Sequence, residues 1–292
     1  MQYVVMDLEW NNTYAKKTAG FINEIIEIGA VKLDEQFDTV DDFSCIIRSQ
    51  IGRKLRGSVK KLTNLTNDDI STGMPFTQAF SHFRKWIGNT DDTVILTWGD
   101  GDIRVLIENY SYLNGITQIP FLTHYCDLQK YYQKRANRNR ADQQAGLITA
   151  AQEVGIDPEI YTHHRALGDS MLTADIFELI YDKKSFEKET VVCNDEYYAR
   201  LLYKAKVLKN IDNPLIDKKR LEHYCDTCGK QCELISPWKF SCQFFRAQFN
   251  CPECNTTYGV RVRFKKLFDG VDFKKIVTVI SPELDSEEDD DE

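Results

Sequence analysis

The 292-residue chain is 42% hydrophobic and 12% aromatic, enough to build one large core or two ordinary ones, which excludes wholesale disorder. It has no run of roughly 18 apolar residues, which excludes a helical membrane span, and its opening MQYVVMDLEW reaches Asp7 without a basic leader, so it reads as a strand and not an export signal; a cytoplasmic location is expected. The net charge of −8 equals the eight acids of residues 283–292, a tail read as a disordered solubilising segment, so the formally neutral remainder is not excluded from binding a polyanion through a local basic face.

Residues 3–10 are apolar and β-rich, residues 24–34 (EIIEIGAVKLD) form a second such run, and residues 43–48 a third. Asn11, Asn12, Thr13 and Gly20 supply turn chemistry between the first two, as in a meander. The segment KLTNLTNDDI is polar and turn-like, with Asp68 or Asp69 placed to cap a short helix. After Pro75 the period changes: Phe76, Ala79, Phe80, Phe83, Trp86 and Ile87 recur at helical spacing, and Gly88 closes the helix. Residues 93–98 (TVILTW) read as a short strand, 102–113 as a helix with Ile103, Leu106, Ile107 and Tyr110 on one face, and 121–126 as a strand. Helices follow over 128–134, 147–154 and 167–181. The charged stretch 182–190 resembles a boundary, and 195–208 a connecting helix. Three strands followed by alternating helices and strands predict an α/β domain with a mixed sheet. The expected organisation is a first domain over 1–184, a linker over 185–216, a cysteine-rich module over 217–270, and a closing segment over 271–292.

The pair Asp7 and Glu9 is the decisive local feature. Residues two apart in a strand point to the same side, so both carboxylates project together. Adjacent anions repel, and a bound divalent cation removes that cost. Two further acids sit in suitable contexts. Asp102 opens a helix directly after TVILTWGDG, where Gly99 and Gly101 permit a tight turn; Asp100 competes for the role, but the amphipathic IRVL run favours Asp102. Asp169 lies in the first turns of the helix in HHRALGDSMLTADIF, with His164 five residues earlier and His163 beside it. Leu8 and Trp10, next to the acids, are candidates for stacking on or wedging bases, with a core or rim role for Trp10 equally open.

Six of the nine cysteines fall between Cys225 and Cys254, and Cys45, Cys126 and Cys193 read as buried or incidental thiols. Cys225-x-x-Cys228 and Cys251-x-x-Cys254, 22 residues apart, form two knuckles suited to a four-thiolate tetrahedral site for one structural zinc. Gly229 supplies the turn after the first pair; Cys232, Cys242 and His223 are spare. Residues 217–266 carry ten bases and five acids, and in YGVRVRFKK the alternation of Val260, Val262 and Phe264 with Arg261, Arg263 and Lys265 predicts a strand with one charged face. Arg261 and Arg263 are therefore candidate phosphate contacts, with a protein-binding role for the module also open and its protein partner unspecified.

Taken together, Asp7-Leu8-Glu9, the strand EIIEIGAVKLD, Leu62-Thr63-Asn64-Leu65-Thr66, Asp102 in TWGDGDIRVL and His164-x4-Asp169 resemble, in order, the motifs of the DEDDh group of DnaQ-like 3′–5′ exonucleases over residues 1–182. The Trp98-Gly99 pair is similar to the branch that trims RNA 3′ ends. The resemblance implies a ribonuclease-H-like fold, with a mixed five-stranded sheet flanked by helices, the acids at one end of that sheet, and a zinc ribbon following. It implies that Asp7, Glu9, Asp102 and Asp169 bind two Mg²⁺ or Mn²⁺ ions and that His164 is the general base, releasing nucleoside 5′-monophosphates from single-stranded RNA or DNA. Two other readings stand beside it. One is a catalytically silent nucleic-acid-binding module, against which the full set of five residues argues. The other is a proofreading exonuclease acting in trans with a polymerase.

Overall fold

The computed structural model describes residues 1–137 and 144–280. The chain divides into two compact units, Met1–Leu201 and Leu202–Glu292. The acidic tail lies outside the described residues.

In the first unit, β1 (Gln2–Ala15), β2 (Gly20–Leu33) and β3 (Thr39–Ile46) form the expected meander. They are followed by α1 (Gly57–Thr63), α2 (Asn67–Thr72), α3 (Phe76–Ile87), β4 (Thr93–Thr97), α4 (Gly101–Asn114) and β5 (His124–Asp127). The unit closes with α5 (Leu128–Arg135), α6 (Leu147–Glu153), α7 (Ala166–Ile180), α8 (Lys183–Glu189), β6 (Val191–Val192) and α9 (Asp195–Leu201). The sheet order is β3-β2-β1-β4-β5-β6, with β1, β4 and β5 parallel and the others antiparallel to their neighbours.

β1 is central and buried on both faces, which is why its start reads as a continuous apolar run. Val4, Met6 and Leu8 face a core shared with Phe80 and Phe83 of α3 and Ile103 and Leu106 of α4. Tyr3 and Val5 face the opposite core, shared with Tyr131 of α5 and Leu172 and Phe177 of α7.

The sheet has six strands where five were expected. The sixth, β6, is two residues long and too short to show a period. The expected boundary at 184 also moves. Residues 183–201 belong to the first unit, because β6 pairs with β5 and Tyr198 and Leu201 of α9 are buried in its core. The charged stretch read as a boundary is helix α8, capped by Asp182, whose carboxylate accepts the Ser185 amide. The cap of α2 is Thr66, in a reciprocal capping box with Asp69.

The second unit contains β7 (Lys206–Val207), β8 (Glu233–Leu234), β9 (Lys239–Ser241), β10 (Phe244–Asn250), β11 (Thr257–Leu267) and β12 (Gly270–Ile280). The order is β12-β11-β10-β8, with β7 against β11 and β9 against β10. The helix expected over 195–208 therefore stops at Leu201, since Lys206 and Val207 pair with Lys266 and Lys265. The module expected over 217–270 extends through β12, which pairs with β11 along its whole length. The sequence GVDFKKIVTVI lacks strict alternation, so that strand went unread.

Candidate active site

β1 outruns its parallel neighbour: its pairing with β4 ends at Val5, and the strand continues through Asp7 and Glu9 beside β2. The Leu8 amide, clear of that ladder, donates to Asp102 Oδ1 at 3.0 Å. This bond ties the start of α4 to the strand that bears the first two acids. From the other face, α7 brings Asp169 in. Asp7, Glu9 and Asp169 each place a carboxylate oxygen within 4.8 Å of the others. Asp102 is buried, at 5% exposure.

Two close approaches allow α7 to reach the strands. A Cβ on Gly29 of β2 would stand 2.1 Å from the Ala166 carbonyl carbon and the Leu167 nitrogen, so only glycine admits the helix start there. The Arg165 guanidinium grips Glu27 through Nε at 3.0 Å and Nη2 at 2.7 Å, and the Ala166 amide donates to the same carboxylate at 3.3 Å. Glu27 is 1% exposed and lies opposite Glu9 across the strands, so Arg165 offsets part of the repulsion that this anion exerts on Glu9. Glu27 and Arg165 were missed in the sequence. Their pairing spans 138 positions and has no local signature.

The electrostatics are those of a site short of positive charge. Burial, then the neighbouring acids Asp102, Asp169 and Glu9, push the Asp7 carboxyl well above the usual range. Burial and Asp169 push Glu9 up to about 8. Burial raises Asp102 to about 7, against the Leu8 amide. Burial raises Asp169 as well, with His164 and His163 opposing it. Asp100, the competitor, faces other partners. Burial works to raise its carboxyl, but Arg104 at 2.9 Å and Lys130 at 3.9 Å outweigh that and hold it low.

The two histidines divide their contacts in a way the spacing did not foresee. His164 is exposed and has a left-handed backbone (φ 55°), and it is its amide that donates to Asp169 Oδ2 at 3.1 Å. The ring of His163 is the one against the acid, with Nδ1 3.7 Å from Asp169 Oδ1, and neither of its solvent-shielded nitrogens has a hydrogen-bond partner. Leu8 is 3% exposed and packs in the core, so its expected contact with bases is corrected. Strand alternation turns it away from the face that carries Asp7 and Glu9. Trp10 is half-buried against that same core, its ring edge reaching Gly101. Arg261 and Arg263 belong to the second unit.

In the second unit the two knuckles fold alike. The Gly229 amide donates to the Cys225 carbonyl and the Asn255 amide to the Cys251 carbonyl, both at 2.9 Å, and both turn residues have positive φ. The sulfurs of Cys225, Cys228, Cys251 and Cys254 lie within 4.8 Å of one another. A tetrahedron with metal–sulfur arms of about 2.3 Å needs sulfurs about 3.8 Å apart, so the set fits a thiophilic ion. The Tyr258 hydroxyl, 3.2 Å away, holds the Cys225 thiol down at about 6. Cys232, Cys242 and His223 stand outside the cluster. Cys251 is fully buried, so Cys251→Ser should abolish zinc retention by this set, measured by elemental analysis, and unfold the second unit. Retention of one equivalent of zinc by that variant would contradict the assignment.

The family model described as Exonuclease (RNase_T) matches residues 4–177. The chain is similar to the "Probable 3'-5' exonuclease KapD" of Bacillus subtilis (strain 168), 31% identical over 188 residues, covering 63% of this chain and 87% of that one. It is also similar to the "DNA polymerase III PolC-type" of Clostridium perfringens (strain 13 / Type A), 24% identical over 213 residues, 72% of this chain but 13% of the polymerase. Among solved structures, the nuclease domain of 3′hExo, a DEDDh family member bound to rAMP, superposes with a TM-score of 0.53. It is 22% identical and covers 61% of this chain and 90% of that one, a likeness of fold.

Proposed function

The chain belongs to the exonuclease family that its residues 4–177 match, and from that membership we propose that it removes nucleotides from the 3′ ends of single-stranded RNA or DNA. The carrying observation is the convergence of Asp7, Glu9 and Asp169 within 4.8 Å, with Asp102 fixed to the same strand end by one hydrogen bond. Carboxylates this close, and pushed toward protonation by one another, suit hard divalent cations with oxygen ligands. Asp7, Glu9, Asp102 and Asp169 would hold two Mg²⁺ or Mn²⁺ ions, which when bound supply the Lewis acidity for water attack on phosphorus and for departure of the 3′ oxygen. The four thiolates of the second unit would hold one structural zinc.

The reaction is hydrolysis of the last phosphodiester. Water oxygen bonds to phosphorus, the bond from phosphorus to the 3′ oxygen of the penultimate nucleotide breaks, and a nucleoside 5′-monophosphate leaves. His164 takes the water proton: its exposed ring sits on a left-handed backbone anchored to Asp169, next to the acids and accessible to substrate. His163, with Nδ1 3.7 Å from Asp169 Oδ1, would supply a nearby positive charge to that carboxylate when protonated. Trp10, half-buried and one residue beyond Glu9, would be a rim aromatic able to stack on a terminal base.

The test is a time course on 5′-labelled single-stranded RNA and DNA with Mg²⁺ or Mn²⁺. Products should shorten one nucleotide at a time from the 3′ end, with 5′-monophosphates released. Internal cuts, or shortening from the 5′ end, would sink the reading. In the same assay His164→Ala should lower kcat by about 10²–10⁴-fold, and His163→Ala by about tenfold. The reverse ranking would move the base to His163.

A further inference from the structure

Away from the carboxylates, unpaired positive charge concentrates on one face of the second unit's sheet. Alternation along β10 and β11 buries Phe245, Phe249, Val260, Val262 and Phe264 and turns the residues between them outward. Register then sets Lys239, Arg246 and Arg261 side by side on three adjacent strands. Arg263 and Lys274 form a second opposed pair on the same face. Directly opposed like charges repel and weaken a sheet. Among the described residues, Lys239, Arg246 and Arg261 have no ion-pair partner; Arg263 is 3.9 Å from Asp272 but keeps a solvent-shielded Nε without a partner.

Lys239, Arg246 and Arg261 line a groove of about 640 Å³ together with Gly259, Thr278 and Ile280. A Cβ on Gly259 would stand 3.0 Å from Thr278 Oγ1, so the glycine leaves room between these two strands' side chains. Among the described residues of these paired strands, only Asp272 and Glu233 bring acid to this face.

We propose that this groove is a non-catalytic binding surface for the phosphate backbone of single-stranded nucleic acid, the polymer class proposed above as the substrate. The inference rests on the exonuclease reading for the identity of the polyanion. Guanidinium forks match phosphate oxygens in pairs, and a row of cations at strand spacing offers several phosphates a contact at once. A protein partner would be expected to meet an apolar, charge-depleted centre, whereas the centre of this face is charged.

The test uses the full zinc-loaded chain without Mg²⁺ or Mn²⁺ and a labelled single strand of about 20 nucleotides, long enough to span such a site. Its Kd is followed by fluorescence anisotropy as salt rises. Lys239→Gln/Arg246→Gln, both at exposed positions, should weaken binding at least about tenfold and flatten the log Kd against log salt slope by about 1.4, or about 0.7 for each lost phosphate contact. Adding Arg261→Gln should flatten it by about 2 in total. Lys239→Arg/Arg246→Lys should leave the slope in place. An unchanged slope in the glutamine variants overturns the proposal. So does an effect that appears only after residues 281–292 are removed, because the groove would then be held by the chain's own acids. Since no turnover is involved, failure here is distinct from failure of the nuclease assay.

Discussion

Asp7→Asn should lower nuclease activity on the order of a thousandfold while raising the thermal stability of the metal-free protein. Both effects have one cause. Asp7 stands where burial and four neighbouring acids disfavour its charge, so without cations the ionised site strains the fold. The amide keeps the shape and removes the repulsion, but cannot replace an anionic ligand. The stability gain should depend on pH. Burial and the neighbouring acids raise the folded-state values, with Glu9 at about 8 and Asp102 at about 7, above those of unfolded acids. The folded chain therefore prefers the protonated forms. The stability they contribute is complete below about pH 4 and is lost as pH rises through about 7 and 8. The variant's advantage should accordingly vanish near pH 4–5 and peak near pH 8, where a gain of about 1–2 kcal/mol would appear as roughly 2–8 °C in Tm. Adding Mg²⁺ or Mn²⁺ at pH 8 should stabilise the parent chain and leave Asp7→Asn nearly unchanged. Equal melting curves across that range would show that the acids do not strain one another.

Gly29→Ala should be the most damaging single-methyl change in the first unit. The added carbon would overlap backbone atoms of Ala166 and Leu167 at 2.1 Å, and backbone cannot rotate away as a side chain can. Helix α7 must then lift from β2, and with it go the Arg165–Glu27 pair and the Asp169 carboxylate. A loss of about 3 kcal/mol or more is expected, at the upper end of overpacking effects, measured as a shift in the denaturation midpoint. Activity should fall with it even at temperatures where the variant remains folded, because Asp169 no longer meets Asp7 and Glu9. Full stability and full activity in Gly29→Ala would show that α7 does not depend on this approach.

Much of the site was readable because its chemistry is written in short periods. Two-residue spacing in a strand sends Asp7 and Glu9 the same way, and the C-x-x-C knuckles need only a turn after each pair, which Gly229 and Asn255 supply. Asp102 was separable from Asp100 by the amphipathic run behind it. The same alternation rule should have placed Leu8 in the core, opposite its acidic neighbours; there the signal was present and misread.

Other features had no local signal. Arg165 and Glu27 meet across the fold, and the need for glycine at position 29 exists only because a distant helix lands on it. Adjacent histidines cannot be told apart by spacing when the second of them, His164, takes a left-handed backbone. The two-residue strands β6 and β7 carry no period, and their pairing moved the unit boundary to Leu201.

The most direct measurement is equilibrium binding of Mn²⁺ to the zinc-loaded full chain in the presence of a nucleoside 5′-monophosphate, with Asp7→Asn alongside. Two ions bound to the parent chain, and at most one, more weakly, to the variant, is the result expected of acids that meet around hard cations. The same stoichiometry and affinity in both proteins would mean that the ions bind elsewhere, and the hydrolytic role of this cluster would be lost.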